Sequence, residues 1–338
     1  MTESRPVQVH TGARLHFGLL SVKSHSARHF GGAGMMIDDP GYHLEFQASD
    51  RDEVSGPDAD RGRKTLRRFR QMCPLEQQPP TCRITIHESI PTHCGFGSGT
   101  QFELALNQGL WLLRNPPCPA APGSAIDQLA DWSTRGQRSA IGIHGFQRGG
   151  FLVDGGKSAG ASPAPLIARL EIPDAWRVVL VRPQHVSGLS GIDEQRAFDA
   201  FAPMPESTTD QLCRLLLMQI LPALAEADLA TFGQALSDYG RTVGHYFSQS
   251  RERWIGHAVM QQFVQWIQSL GRAAGQSSWG PTIWILCEHA DDARDVVRRI
   301  ERDGRWNAFS TAIAAPRNYG ADLDCSAAGP AAPADSFP

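Results

Sequence analysis

The period of the hydrophobic pattern changes several times along the chain. Thr81-Cys-Arg-Ile-Thr-Ile-His87 alternates apolar and polar positions, as a half-buried strand does. Shortly after it, Phe102, Ala105, Leu106, Gly109, Leu110 and Leu113 recur at helical spacing, which predicts a helix over 101–113. The prolines of Asn115-Pro-Pro-Cys-Pro119 end that helix, because a proline ring cannot continue one. Between strand and helix, Gly95, Gly97 and Gly99 occupy alternate positions. The order is therefore strand, glycine-rich loop, helix. Elsewhere the pattern predicts strands at 8–11 and 42–46, a polar loop at 49–63, a helix at 126–134 and an exposed Gly/Ser/Ala/Pro-rich connection at 155–165. A buried strand follows at 176–182, then helices near 208–227, 228–246 and 256–272. Strand, helix and strand close the pattern at 281–288, 291–303 and 307–314. Strands first and helices gathered later predict an α+β chain of two layered units.

Composition narrows this only in part. The chain has 338 residues, with 32 Lys and Arg against 35 Asp and Glu, a net charge of −3. That is enough chain for one large core or two domains, and the charge gives no bulk attraction to nucleic acid. The basic run Arg61–Arg70 reads as the solvated face of a helix, with a rim for an anionic substrate as the other reading. Seven cysteines lie far apart with no CxxC, which predicts reduced thiols in a cytoplasm, not a disulfide frame or a zinc site. No apolar run reaches the roughly 20 residues needed to span a bilayer, so no membrane partner is expected. Residues 327–338 lack core-forming side chains and are expected to be disordered.

The candidate chemistry sits in the glycine-rich loop. Its backbone N–H groups can approach an anion closely, and the following helix start adds a favourable dipole. The expected ligand is a phosphate or pyrophosphate, cradled by Gly95 to Gln101 with hydroxyls from Ser98 and Thr100. The loop is neither a Walker loop, since no Lys follows its last glycine, nor a GxGxxG turn.

The phrase Pro91-Thr-His-Cys-Gly-Phe-Gly-Ser-Gly-Thr-Gln101 resembles the phosphate loop of the GHMP kinase superfamily. Thr11–Gly18, Arg138–Gly150 and Gly275–Thr282 resemble its other motifs, in order, so the likeness runs from about residue 7 to about 324. One departure stands out. In many of these kinases an Asp takes the proton from the substrate hydroxyl; here that position is Gly142, and the paired serines of the loop are broken into Ser98-Gly99-Thr100. A narrower likeness fits better. Arg14-Leu-His-Phe-Gly18, Phe30–Met36, Arg148–Gly156, Gly188-Leu-Ser-Gly191 and Gly275–Thr282 resemble the β-ribofuranosylaminobenzene 5′-phosphate synthase family.

That resemblance implies a GHMP-kinase-like two-domain architecture. Its parts are an N-terminal domain over 1–165, a C-terminal α+β domain over 166–325, a tail at 326–338 and a site between the domains. It implies condensation of 5-phosphoribosyl 1-diphosphate with 4-aminobenzoate or 4-hydroxybenzoate, losing pyrophosphate and CO2, on the way to methanopterin-type one-carbon carriers. Arg14 and Arg148 are the expected anion clamps, and His16 and His93 the groups that steady charge or move protons. Arg28, Asp154, Ser277, Ser278 and Trp279 are expected against substrate, Trp279 by stacking, with Arg317 a weaker cationic candidate. Mg²⁺ is expected with the diphosphate, Asp193 and Glu194 being its candidate ligands, and no ATP is expected. An ATP-dependent small-molecule kinase and a silent ligand-binding relative are the competing readings. The sequence leaves the assembly open, self-association as a homodimer being the protein partner it allows.

Overall fold

A computed structural model describes residues 6–23, 28–114, 133, 135–158, 163–184, 196, 198–249 and 252–324. Outside them fall the tail at 327–338, the Gly188–Gly191 phrase, Asp193 and Glu194, and nearly all of the helix predicted at 126–134.

Three sheets carry the architecture. The first has the order β13-β1-β4-β6-β5, from β1 (Val7–His10), β4 (His43–Ala48), β5 (Glu53–Ser55), β6 (Cys82–Glu88) and β13 (Asp322–Asp324). Its pairings are antiparallel except β5 with β6. The second has the order β2-β3-β7-β8, from β2 (Ala13–Ser21), β3 (Phe30–Ile37), β7 (Phe151–Asp154) and β8 (Leu166–Leu170). The third has the order β10-β11-β9-β12, from β9 (Arg177–Pro183), β10 (Ala274–Gln276), β11 (Ile283–Cys287) and β12 (Phe309–Ala314). The chain is thus α+β with β9 to β12 in a sheet of their own. Two pairings cross the boundary expected at 165: β8 joins β7, and β13 returns to β1.

The helices are α1 (Ala59–Met72), α2 (Ser98–Arg114), α3 (Ile141–Arg148), α4 (Glu206–Leu215), α5 (Leu221–Ala225), α6 (Leu229–Ser248), α7 (Ala258–Ser269) and α8 (Ala290–Arg302). A π-helical turn, Leu216–Ile220, joins α4 to α5. The predicted loop at 49–63 is wrong in part. Glu53–Ser55 adds a strand, and α1 begins at Ala59 because Gly62, Leu66 and Phe69 share one helical face that the sheet buries. Of the arginines of α1, Arg63 and Arg67 are exposed as a solvated face requires, while the half-buried Arg61 lies over the Phe102 ring, Arg68 reaches Glu103 and Arg70 pairs with Asp52.

Helix α2 is buried over most of its length, so it forms the centre of the larger core with Phe46, Leu44 and Ile84 from the first sheet. Strand β9 is buried on both faces: Val178 and Leu180 join that core, while Val179 and Val181 join a second one with Phe263 and Trp306. Helix α6 packs against β2, β10 and β11, so it bridges the second and third sheets.

Candidate active site

A cleft of about 700 Å³ opens where these units meet. One wall is strand β2, with Arg14, His16, Phe17 and Gly18. A second is the glycine-rich loop at Gly97, Gly99 and Thr100. The segment 135–139 leading into α3 forms a third, and α6 with the turn at 276–281 closes the far side. The local sequence explains the construction. The ladder of β2 with β3 slips between His16 and Gly18, a bulge that re-aims side chains beside the cleft.

Hydrogen bonds stitch the walls together. Ser277 Oγ donates to Gly95 O at 2.8 Å and accepts from His16 N at 3.1 Å. Thr282 Oγ1 donates to Cys94 O at 2.5 Å, and Ser278 N donates to His16 O at 2.8 Å. A side chain at Gly95 would meet Ser277 O at 2.5 Å, so that glycine lets the two loops dock. Gly97 has φ +69°, and a Cβ there would lie 2.7 Å from Arg14 Cγ. The stem of Arg14 therefore lies across the loop.

The two ends of the cleft differ in chemistry. Arg14, Arg135, Arg138 and Arg241 line it, and among the described residues no carboxylate does. The other end is aromatic. Trp279 lies 5.0 Å from the Phe247 ring and 5.7 Å from the Phe198 ring, and the Arg138 guanidinium sits 4.4 Å over Phe198.

A buried relay runs behind the cationic end. His16 Nε2 is 3.1 Å from Ser139 Oγ, which donates to Asp154 Oδ2 at 3.1 Å. Asp154 also accepts from Ala140 N at 2.9 Å and from Gly156 N at 3.1 Å. Burial raises the Asp154 pKa, and the donors from Gly156, Ala140 and Ser139 oppose that rise. As a carboxylate Asp154 only accepts, so Ser139 gives it the hydroxyl proton and accepts from His16 Nε2–H. Burial, and then the neighbouring Arg14, hold the His16 pKa well below its usual value, so the ring is neutral at pH 7.

Comparison with known proteins fits this geometry. No protein-family model matches the chain. It is 28% identical over 336 residues to the β-ribofuranosylphenol 5′-phosphate synthase of Archaeoglobus fulgidus, covering 94% of this chain and 99% of that protein. It is 27% identical over 325 residues to the synthase of the same name from Methanothermobacter thermautotrophicus, covering 88% and 94%. The chain resembles these synthases from end to end. Among solved structures, a homoserine kinase from Cytophaga hutchinsonii superposes with TM-score 0.66 at 13% identity, covering 96% of this chain and 98% of that one. A mevalonate pyrophosphate decarboxylase from Streptococcus pyogenes gives 0.64 at 10% identity, covering 94% and 98%. The fold is that of the GHMP kinases, as read from the sequence.

The predicted site residues divide on this map. Arg14, His16, Gly97, Gly99, Thr100, Ser278 and Trp279 line the cleft. Several others support it from behind. Gln101 is fully buried and donates to Gly142 O at 2.8 Å, so it ties α2 to α3 and does not reach a phosphate. Ser98 is buried at the start of α2. Ser277 cross-links the walls, and Asp154 is saturated inside the relay, which leaves neither of them for substrate. Arg28 donates to the carbonyls of Gly155 and Gly156. Arg317 is buried and donates to the exposed Asp322 and to the Gly320 carbonyl. Two residues stand apart: Arg148 is exposed at the end of α3, and His93 is exposed in the turn before the loop. Neither lines the cleft, so a clamp at Arg148 and a proton role at His93 have no geometry behind them.

Sequence reasoning missed Arg135, Arg138, Ser139, Arg241 and His257, all of which line the cleft. The signal for the first three was the polar Arg135-Gly-Gln-Arg-Ser139 run just before an apolar helix start. Position 142 is closed as well as empty: a Cβ there would lie 3.1 Å from Thr100 Cγ2. No group of three or more His, Cys, Asp or Glu among the described residues could hold a metal ion.

Proposed function

We propose that the chain condenses 5-phosphoribosyl 1-diphosphate with a 4-substituted benzoate, releasing pyrophosphate and CO2. The observation that carries this is the end-to-end similarity to proteins named β-ribofuranosylphenol 5′-phosphate synthase. The cleft's chemistry supports it. Arg14 and Arg135 against the loop, with the α2 N-terminus, suit an anion that gains charge as it leaves. The aromatic end suits a flat acceptor ring. Gly142 offers no base for a kinase step.

The bond changes balance without a redox partner. The bond from the anomeric carbon to diphosphate breaks, leaving an oxocarbenium-like centre. The ring carbon bearing the carboxylate bonds to that centre. The carboxylate then leaves as CO2, and the electron pair of its bond restores the aromatic ring. The protein supplies placement and charge stabilisation. The relatives' products are named as phenols, which favours 4-hydroxybenzoate over 4-aminobenzoate. A phenol pushes electrons into the ring best once deprotonated, and the lowered His16 pKa makes that buried ring a poor acceptor for its proton.

Mg²⁺ enters this account as part of the diphosphate substrate, because the described lining offers hydroxyls and no carboxylate. The product fits a methanopterin-type cofactor pathway. Cys73, Cys82, Cys94, Cys213 and Cys287 are free thiols and no described helix is long and apolar enough to cross a membrane, in keeping with a cytoplasmic enzyme.

The test is a paired incubation. With 5-phosphoribosyl 1-diphosphate, 4-hydroxybenzoate and Mg²⁺, pyrophosphate should form without nucleotide and depend on the benzoate. With ATP and small alcohols, no ADP should form. Benzoate-independent ADP formation from an alcohol would replace this reading with a kinase.

A further inference from the structure

The segment before α3 holds a cation that the sequence motifs do not mark. The Arg135 guanidinium lies directly against the loop-to-helix junction: a Cβ on Gly99 would sit 3.0 Å from its Nη1 and 3.2 Å from its Cζ. Its Nη2 pairs with Glu103, one turn further along α2. Glu103 is nearly buried, its side chain only 5% exposed, and its other oxygen takes Arg68 at 2.6 Å. A carboxylate buried beneath an anion-binding loop opposes the anion unless it has another task. Here it is shared between two arginines, one of which it holds at the cleft wall. Gly99, the residue that interrupts the serine pair, leaves the space that Arg135 fills.

We propose that Arg135 is a phosphate-binding residue for the diphosphate at this loop, that Glu103 is its positioning residue, and that Gly99 is glycine to admit it. The inference rests on the proposed reaction for the identity of the anion and adds the residues that hold it. Arg135 then acts opposite Arg14, so that an anion on the backbone N–H groups of the loop is flanked from two sides.

The geometry makes three expectations whose signs differ from the ordinary ones. Alanine is a better helix former than glycine, so Gly99→Ala should leave the fold as stable as before or more so. Yet the new methyl displaces the guanidinium, and pyrophosphate affinity should fall by about tenfold. Removing a negative charge beside an anion site should tighten binding by Coulomb's law alone. Glu103→Gln should instead weaken it, because the clamp loses its anchor.

The experiment is calorimetric titration of Mg²⁺-pyrophosphate into the full-length protein and into Gly99→Ala, Glu103→Gln, Arg135→Gln and the double variant Gly99→Ala/Arg135→Gln, with thermal melts of each. Arg135→Gln should lose at least about tenfold in affinity. The double variant should bind no worse than Arg135→Gln alone, since both changes remove one contact. Wild-type affinity in Gly99→Ala, unchanged or tighter binding in Glu103→Gln, or no pyrophosphate binding by the wild type would each overturn the inference. Wild-type binding with the expected variant pattern, but no turnover of 5-phosphoribosyl 1-diphosphate, would sink the reaction and leave the clamp standing.

Discussion

Gly97 combines a left-handed backbone with the stem of Arg14 packed across it, so any side chain there meets both strain and a clash. Gly97→Val should abolish binding of 5-phosphoribosyl 1-diphosphate while the far-ultraviolet circular dichroism stays that of the wild type; a folded variant with normal affinity would remove the loop from the site. Arginine 14 and arginine 148 separate cleanly. At Arg14, lysine keeps the charge but loses the planar fork, and the loss should be about 2–5 kcal/mol in kcat/KM. Arg148→Lys should stay within about twofold of wild type, as surface changes do. Equal effects at the two positions would contradict the placement of Arg148 on the exposed end of α3. The difference between them was not legible in the sequence, because each follows or precedes a glycine-rich phrase. Only the fold turns one into the cleft.

At the scale of elements, three neighbouring strands of the first sheet put histidines side by side. His10 of β1 stacks on His43 of β4 at 3.8 Å, and His43 lies 4.5 Å from His87 of β6. Burial, then His10 and His87, lower the His43 pKa from its ordinary 6.5, against weaker opposition from Glu88 and Glu45. The unfolded chain therefore takes this proton at a higher pH than the folded one. Stability is full above the unfolded value and is lost as pH falls through the lower, folded value. Urea unfolding at pH 7.5 and 5.5 should show the loss, and His43→Gln should reduce it; an identical loss in that variant would assign it elsewhere, His16 being the other histidine with a lowered pKa among the described residues. Strands β1, β4 and β6 were read well from alternation, as were the strand–loop–helix unit and α6 to α8, whereas β7, β8 and β10 drew no strand prediction. Strand β5 and the start of α1 were hidden because three-residue strands and arginine-rich helices carry little apolar signal. Their order comes from the sheet they pack on.

Across the whole molecule, the cleft exists because segments nearly the length of the chain apart are bonded to each other. His16, Gly95 and Ser277 meet through one hydroxyl. Ser277→Ala leaves two backbone groups without their partner and should cost about 1–3 kcal/mol of stability, read as a lower urea midpoint. It should also weaken substrate binding, since loop and turn no longer hold each other. A variant as stable as wild type would show that the walls are kept together by packing alone. That long-range stitching explains what the sequence could and could not show. Motif order made the fold and the reaction class legible, and the loop and Arg14 with them. Arg135 and Arg241 belong to no phrase and reach the cleft only through the packing of α3 and α6, and Ser139 lies in the phrase Arg138–Gly150, where nothing in the sequence marks its hydroxyl out from its neighbours. The central claim is that the chain makes a carbon–carbon bond at the expense of a carboxylate. It is tested most directly by incubating the protein with 5-phosphoribosyl 1-diphosphate, Mg²⁺ and carboxyl-labelled 4-hydroxybenzoate, without nucleotide, and counting both products. The account predicts labelled CO2 and pyrophosphate in equal amounts; pyrophosphate release with the label retained on the ring would contradict it.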